Sequence, residues 1–146
     1  MKMIGIASGF FNPLHVGHLD YLEEAKRNCD HLVVVVNTDK QVEMKGAVPF
    51  MPLVDRMRIV MALECVDLVL ASESKDKTVT EDIREINNLF KNDLESCRIR
   101  FFNSGDRTFQ NTPEIKVCSE LGIQLMILDQ PKIRASSKII NNAIKN

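Results

Sequence analysis

A chain of 146 residues with 45% apolar and 27% charged side chains has the size and composition of one globular domain, residues 1–146, which excludes a disordered chain. Nineteen Lys and Arg against 20 Asp and Glu leave a net charge of -1, so a protein that grips nucleic acid through its overall field is excluded as well. The longest unbroken apolar run, Leu32 to Val36, is far short of the roughly 20 residues of a membrane-spanning helix, and no membrane partner is expected.

At the N-terminus Gly5, Ser8 and Gly9 interrupt the apolar residues, and Asn12-Pro13 follow. No secretory signal is read there, and a cytoplasmic location is expected. The pattern predicts strands at residues 3–8, 32–37, 68–71, 99–103 and 124–128, rich in Val and Ile, with helical patterns between them. Leu32-Val33-Val34-Val35-Val36 does not alternate apolar with polar, so both faces of that strand are expected to be covered, as in a doubly wound parallel sheet. Helices are predicted over 17–28, where Leu19, Leu22 and Ala25 share a face, and over 53–64, where Met57, Val60, Met61 and Glu64 fall at helical spacing. Further helices are expected near 79–92, 113–121 and 136–144, the last opened by serines suited to an N-cap. The fold class is therefore α/β, a single Rossmann-like domain with five parallel strands flanked by helices. Cys29, Cys65, Cys97 and Cys118 are too far apart for a C-x-x-C pair and lack a nearby His, so buried thiols are expected, not a disulfide framework or zinc site.

Two loops stand out, residues 44–52 with Gly46, Pro49 and Pro52, and residues 103–108 after the fourth strand. Both fall at carboxyl ends of strands, where open parallel sheets bind ligands. A third opens the first helix: Gly9-Phe10-Phe11-Asn12-Pro13-Leu14-His15-Val16-Gly17-His18. Gly9 lets backbone approach a bound group, and Gly17 leaves room over amides at the positive end of a helix dipole, a place suited to phosphate. His15 and His18 add two N–H donors. A metal half-site, or histidines bonded within a turn, are the competing readings of the same pair.

This segment resembles the His-x-Gly-His nucleotidyltransferase superfamily, cytidylyltransferase-like, whose pattern runs Gly-x-Phe-Asp-x-x-His-x-Gly-His. Gly9, Phe11, His15, Gly17 and His18 match, and Asn12 stands where Asp is commonest. A second match runs from Asn37-Thr38-Asp39 through Lys45-Gly46, Pro49, Asp55-Arg56, Val60, Ala62-Leu63 and Val66-Asp67, and is similar to the heptose-phosphate adenylyltransferase type and, more loosely, to glycerol-3-phosphate cytidylyltransferases. By that resemblance Lys45, on a mobile loop, and Arg56, on the next helix, face substrate. Ser104-Gly105-Asp106-Arg107 matches the place where backbone lies against the base or ribose. Ile133-Arg134-Ala135-Ser136-Ser137 resembles the signature opening the last helix, where Arg134, Ser136 and Ser137 would hold the β- and γ-phosphates.

The resemblance implies transfer of a nucleoside monophosphate from an NTP to a small phosphorylated acceptor, with release of pyrophosphate. His15, His18 and Lys45 are the catalytic candidates, and Gly9, Phe10, Phe11, Gly17, Gly105, Asp106, Arg107, Arg134, Ser136 and Ser137 the nucleotide-binding ones. Lys45 and Arg56 are the substrate-binding candidates. Mg2+ is expected with the NTP, with no metal held by the protein itself. CTP is slightly favoured over ATP, and a homodimer is expected. A non-catalytic nucleotide-binding regulator is the alternative outside catalysis. A class I aminoacyl-tRNA synthetase core would need a tRNA-binding domain for which the chain has no residues left, and a metal-dependent hydrolase would use the two histidines as ligands.

Overall fold

Parallel strands form only when the chain crosses back over the sheet, and here each crossover is helical. The computed structural model describes residues 1–90, 92, 96–104 and 112–128. In chain order it contains β1 (Lys2–Gly9), α1 (Val16–Arg27), β2 (His31–Val36), α2 (Asp39–Met44), α3 (Leu53–Met61), β3 (Leu68–Ala71), α4 (Thr80–Phe90), β4 (Cys97–Ser104), α5 (Thr112–Leu121) and β5 (Gln124–Leu128). The expected helix over 136–144 and the candidates Gly105, Asp106, Arg107, Arg134, Ser136 and Ser137 lie outside the described residues.

All five strands pair in parallel in the order β3-β2-β1-β4-β5. The central β1 sets Ile6 opposite Val33 on one side and Phe101 on the other. Because successive strand side chains point to opposite faces, the five-residue apolar run of β2 splits cleanly. Val33 and Val35 pack with Ile83 and Ile86 of α4 and with Val117 and Cys118 of α5. Leu32, Val34 and Val36 pack with Leu22 and Ala25 of α1 and Val60 of α3. Both faces are thus buried, as the run of valines required. On the α1 face Gly5 is closely covered: a Cβ there would lie 2.5 Å from the Phe102 ring and 2.6 Å from Cys29 Sγ.

The four cysteines are free thiols, Cys97 and Cys118 buried and Cys29 and Cys65 half-buried. Burial pushes the Cys29 and Cys118 thiols up to about 11, away from the reactive thiolate range. Among the described residues no helix is long and apolar enough to cross a membrane.

The structure differs from the sequence pattern mainly between β2 and β3. The helix expected over 53–64 ends at Met61, capped at Ala62, and the short α2 precedes it unforeseen. Helix α2 exists because Thr38 and Gln41 close a reciprocal capping box: the Gln41 amide donates to Thr38 Oγ1 (3.2 Å), and the Thr38 amide donates to Gln41 Oε1 (2.8 Å). Gln41 is itself buried, and its Nε2 reaches Ser72 Oγ (3.0 Å), Asp76 O (2.8 Å) and Thr78 O (3.0 Å). Asp82 of α4 completes this hub, accepting from Ser72 Oγ (2.6 Å), the Glu73 amide (2.7 Å) and Ser74 Oγ (3.0 Å). Chain order reverses between β1 and β4, which places the switch point of the sheet beside the loop that follows β1.

Candidate active site at the start of the first helix

The loop after β1 turns tightly before entering α1. Phe11 takes a left-handed conformation, φ 49°, uncommon for an aromatic residue, and its ring is buried in the core on the α1 face. A Cβ on Gly9 would meet that ring at 2.8 Å, so glycine is required there to seat Phe11. The ring meets His18 edge-on, with centroids 5.1 Å apart. The expectation that Phe11 binds nucleotide is therefore corrected: only 1% exposed, it supports the His18 ring from beneath. Phe10 is half-buried.

Helix α1 is capped by histidine. His15, in extended backbone conformation, accepts the Gly17 amide at Nδ1 (3.0 Å), and its own amide donates to His18 Nδ1 (3.1 Å), a reciprocal capping box. The two rings lie face to face, centroids 3.8 Å apart and tilted by 33°. Each Nδ1 accepts a backbone N–H, which in the neutral imidazole assigns the ring proton to Nε2. The two rings thus stand side by side at the start of the helix. The Gly17 amide itself is taken by His15, and the positive end of the helix dipole lies behind the two rings. Burial holds the His15 imidazole below its ordinary value, which favours the neutral donor. The same geometry weakens the metal-ligand reading, since coordination through either Nδ1 would break the cap. Among the described residues no three His, Cys, Asp or Glu side chains converge to hold an ion.

Lys45 caps the C-terminus of α2. Its Nζ lies over the Phe10 ring, 4.5 Å from the centroid, a cation–π contact that brings its charge to the loop after β1. Gly46 follows with φ 88°, turning the chain into residues 46–52.

Arg56 departs from expectation. Its side chain is fully buried and its guanidinium is engaged by protein: Nε donates to Met51 O (3.0 Å), NH1 to Phe10 O (2.8 Å) and Asn37 O (2.7 Å), and NH2 to Asp39 Oδ1 (2.6 Å). The expectation that Arg56 faces substrate is corrected: four of its five N–H donors fasten the loops after β1 and β2 to the start of α3. In the structure Asn12 Nδ2 donates to Val48 O (2.9 Å), and the Phe50 amide donates to Asn12 Oδ1 (2.5 Å).

A carboxyl-end loop with paired imidazole donors, a neighbouring lysine and a buried arginine brace is suited to holding a polyanion. The comparisons agree in kind. The chain is 32% identical over 140 residues to the Bifunctional protein HldE of Streptomyces coelicolor, covering 94% of this chain and 27% of that protein. It is 42% identical over 76 residues to the FAD synthase of Ferroglobus placidus, covering 52% of this chain and 49% of that protein. The chain thus spans about a quarter and about half of the lengths of these two relatives. Among solved structures, the lipopolysaccharide core biosynthesis protein from Thermoplasma volcanium superposes with a TM-score of 0.68 at 25% identity, covering 92% of this chain and all of that one. A bifunctional NMN adenylyltransferase/ADP ribose pyrophosphatase from Francisella tularensis shares the fold, with a TM-score of 0.68 at 14% identity over 100% of this chain and 42% of that one. The Cytidylyltransferase-like family model matches residues 6–142, nearly end to end, and the chain belongs to that family.

Proposed function

We propose that the protein is a nucleotidyltransferase that moves a nucleoside monophosphate from an NTP to a small phosphorylated acceptor and releases pyrophosphate. The observation that carries this reading is the histidine cap of α1, which stacks the two imidazoles at the helix start beside the sheet's switch point. A phosphate monoester has a second pKa near 6, so at neutral pH the acceptor is a dianion and needs no general base. One of its oxygens attacks the α-phosphorus, the new P–O bond forms, and the bond to the bridging oxygen breaks as pyrophosphate departs. The protein must bring two polyanions into line and hold the charge on the α-phosphoryl oxygens. His15 and His18 supply donors to that charge, and Lys45, released from Phe10, lies between the two phosphates. Arg134, Ser136 and Ser137 are assigned to the β- and γ-phosphates, and Gly105, Asp106 and Arg107 to the base. Mg2+, carried in with the NTP, would be held by the nucleotide's own phosphates and would supply positive charge to offset that of the leaving pyrophosphate.

The sequence alone leaned towards CTP. Relatives and structural neighbours named for FAD synthesis and for adenylyl transfer support ATP, and we place ATP ahead of CTP. A homodimer and a cytoplasmic location belong to the same reading, the first measurable by light scattering. The deciding experiment combines ATP, CTP, GTP or UTP with Mg2+ and glycerol 3-phosphate, a sugar 1-phosphate or FMN, and follows pyrophosphate. Release in one pairing, dependent on both partners, supports the proposal. Nucleotide binding without release in any pairing favours a non-catalytic regulator, and no nucleotide binding at all overturns the reading.

A further inference from the structure

We infer that Asn12 is a positioning residue: its carboxamide latches residues 46–52 to the loop that leads into the histidine pair and so sets where Lys45 stands. The inference rests on the proposed nucleotidyl transfer for its catalytic half only.

The loop between α2 and α3 has little to hold it through burial. Val48 and Phe50 are apolar yet 81% and 63% exposed, so the core does not fix their position. The loop begins with Lys45 and Gly46 at the end of α2 and ends where Arg56 takes Met51 O. Between those anchors, Asn12 bonds both Val48 O and the Phe50 amide. A carboxamide is suited to this task because one edge donates and the other accepts. A carboxylate in the same place accepts from the Phe50 amide but has no proton for Val48 O and sets a charge against that carbonyl. The Asn12 side chain therefore ties the loop carrying Lys45 to the loop carrying Phe10, on whose ring the lysine rests. The other end of the Phe10 peptide is fixed by Arg56. Asn12 touches no reacting atom in this arrangement. It acts through Lys45.

Amide hydrogen exchange tests the latch without any substrate. In Asn12→Ala the Phe50 amide loses its acceptor and is expected to exchange about tenfold faster, whereas in Asn12→Asp, which keeps that acceptor, it stays near wild type. Unchanged exchange in Asn12→Ala overturns the latch, whatever the protein's activity. The positioning role is read from pyrophosphate release with the acceptor found in the screen above. Asn12→Ala and Asn12→Asp are each expected to lower kcat about tenfold with KM for the NTP within about twofold, and Asn12→Ala is expected to cost nothing further in a Lys45→Ala background. Additive losses in the double variant overturn action through Lys45. Faster exchange at Phe50 with wild-type kcat overturns the positioning role while leaving nucleotidyl transfer intact. Absence of pyrophosphate release from the wild type instead overturns the functional reading and, with it, the catalytic half of the inference, and the exchange result still decides the latch.

Discussion

Replacing Arg56 with methionine separates a structural brace from a ligand contact. The guanidinium is completely buried and bonds three backbone carbonyls, those of Phe10, Asn37 and Met51, together with Asp39. Methionine fills a similar volume without donors, so the cavity contribution is small and the cost falls on the stranded acceptors. Each carbonyl left without a partner costs about 1 kcal/mol. The Asp39 side chain is 42% exposed and rehydrates, so the ion pair contributes no more than about 1 kcal/mol. The sum is about 3 to 4 kcal/mol, or roughly 10 °C in Tm for a domain of this size. Urea and thermal melts of wild type, Arg56→Met and Arg56→Lys give the measurement, with turnover assayed well below either melting point. Lysine keeps the charge but not the fork, so an intermediate loss is expected. A melt within about 1 kcal/mol of wild type would refute the brace, and an unchanged melt with abolished turnover would show that Arg56 meets substrate after all.

His18→Ala is expected to leave the fold intact and lower kcat by about 10² to 10³, as for a lost donor to developing charge; retention of more than about a tenth of wild-type kcat contradicts the role. Lys45→Ala is expected to damage kcat more than NTP affinity, because a point charge between two phosphates matters most as they approach. Parallel loss of affinity measured by calorimetry would make Lys45 a ground-state binder. His15 makes stability depend on pH. Burial lowers its folded pKa below the ordinary value of 6.5, so the unfolded chain binds more protons in that window. Its contribution is present above about pH 6.5 and is lost as pH falls from there through the lowered folded value. Urea midpoints at several pH values are expected to fall less on acidification in His15→Asn, which keeps an N-cap acceptor and does not titrate; an identical pH dependence in both proteins excludes His15 as the source.

The sheet was legible because its signal is local. A strand buried on both faces needs consecutive apolar residues, and residues 32–36 state this without help from the rest of the chain. The histidine loop was legible for a related reason, since cap, glycines and preceding strand are contiguous. Helix α2 escaped because six residues carry too few turns for an apolar period, and its cause, the Thr38–Gln41 cap, resembles any polar loop. Arg56 and Asn12 escaped for a different reason. Arg56 takes the carbonyl of Phe10, 46 positions away, and Asn12 takes partners 36 and 38 positions away. No periodicity encodes an acceptor brought in by the folding of another loop, so an arginine near a helix start is equally compatible with phosphate and with three carbonyls. The motif singled out one loop, and tertiary contacts decided which neighbouring side chains are taken up by protein.

The Gln41 hub bears on how such a domain can be recombined. Residues 72–78 leave the carboxyl end of β3 on the same rim as the histidine loop, where segments are readily exchanged between related domains. They are not an independent module. Gln41 Nε2 has two protons to share among Ser72, Asp76 and Thr78, and Asp82 secures Ser72, Glu73 and Ser74 from the other side. A transplanted segment of different length would strand a buried amide and a buried carboxylate together, so a workable chimera must exchange residues 41, 72–78 and 82 as one unit, although they lie on three separate stretches of the gene.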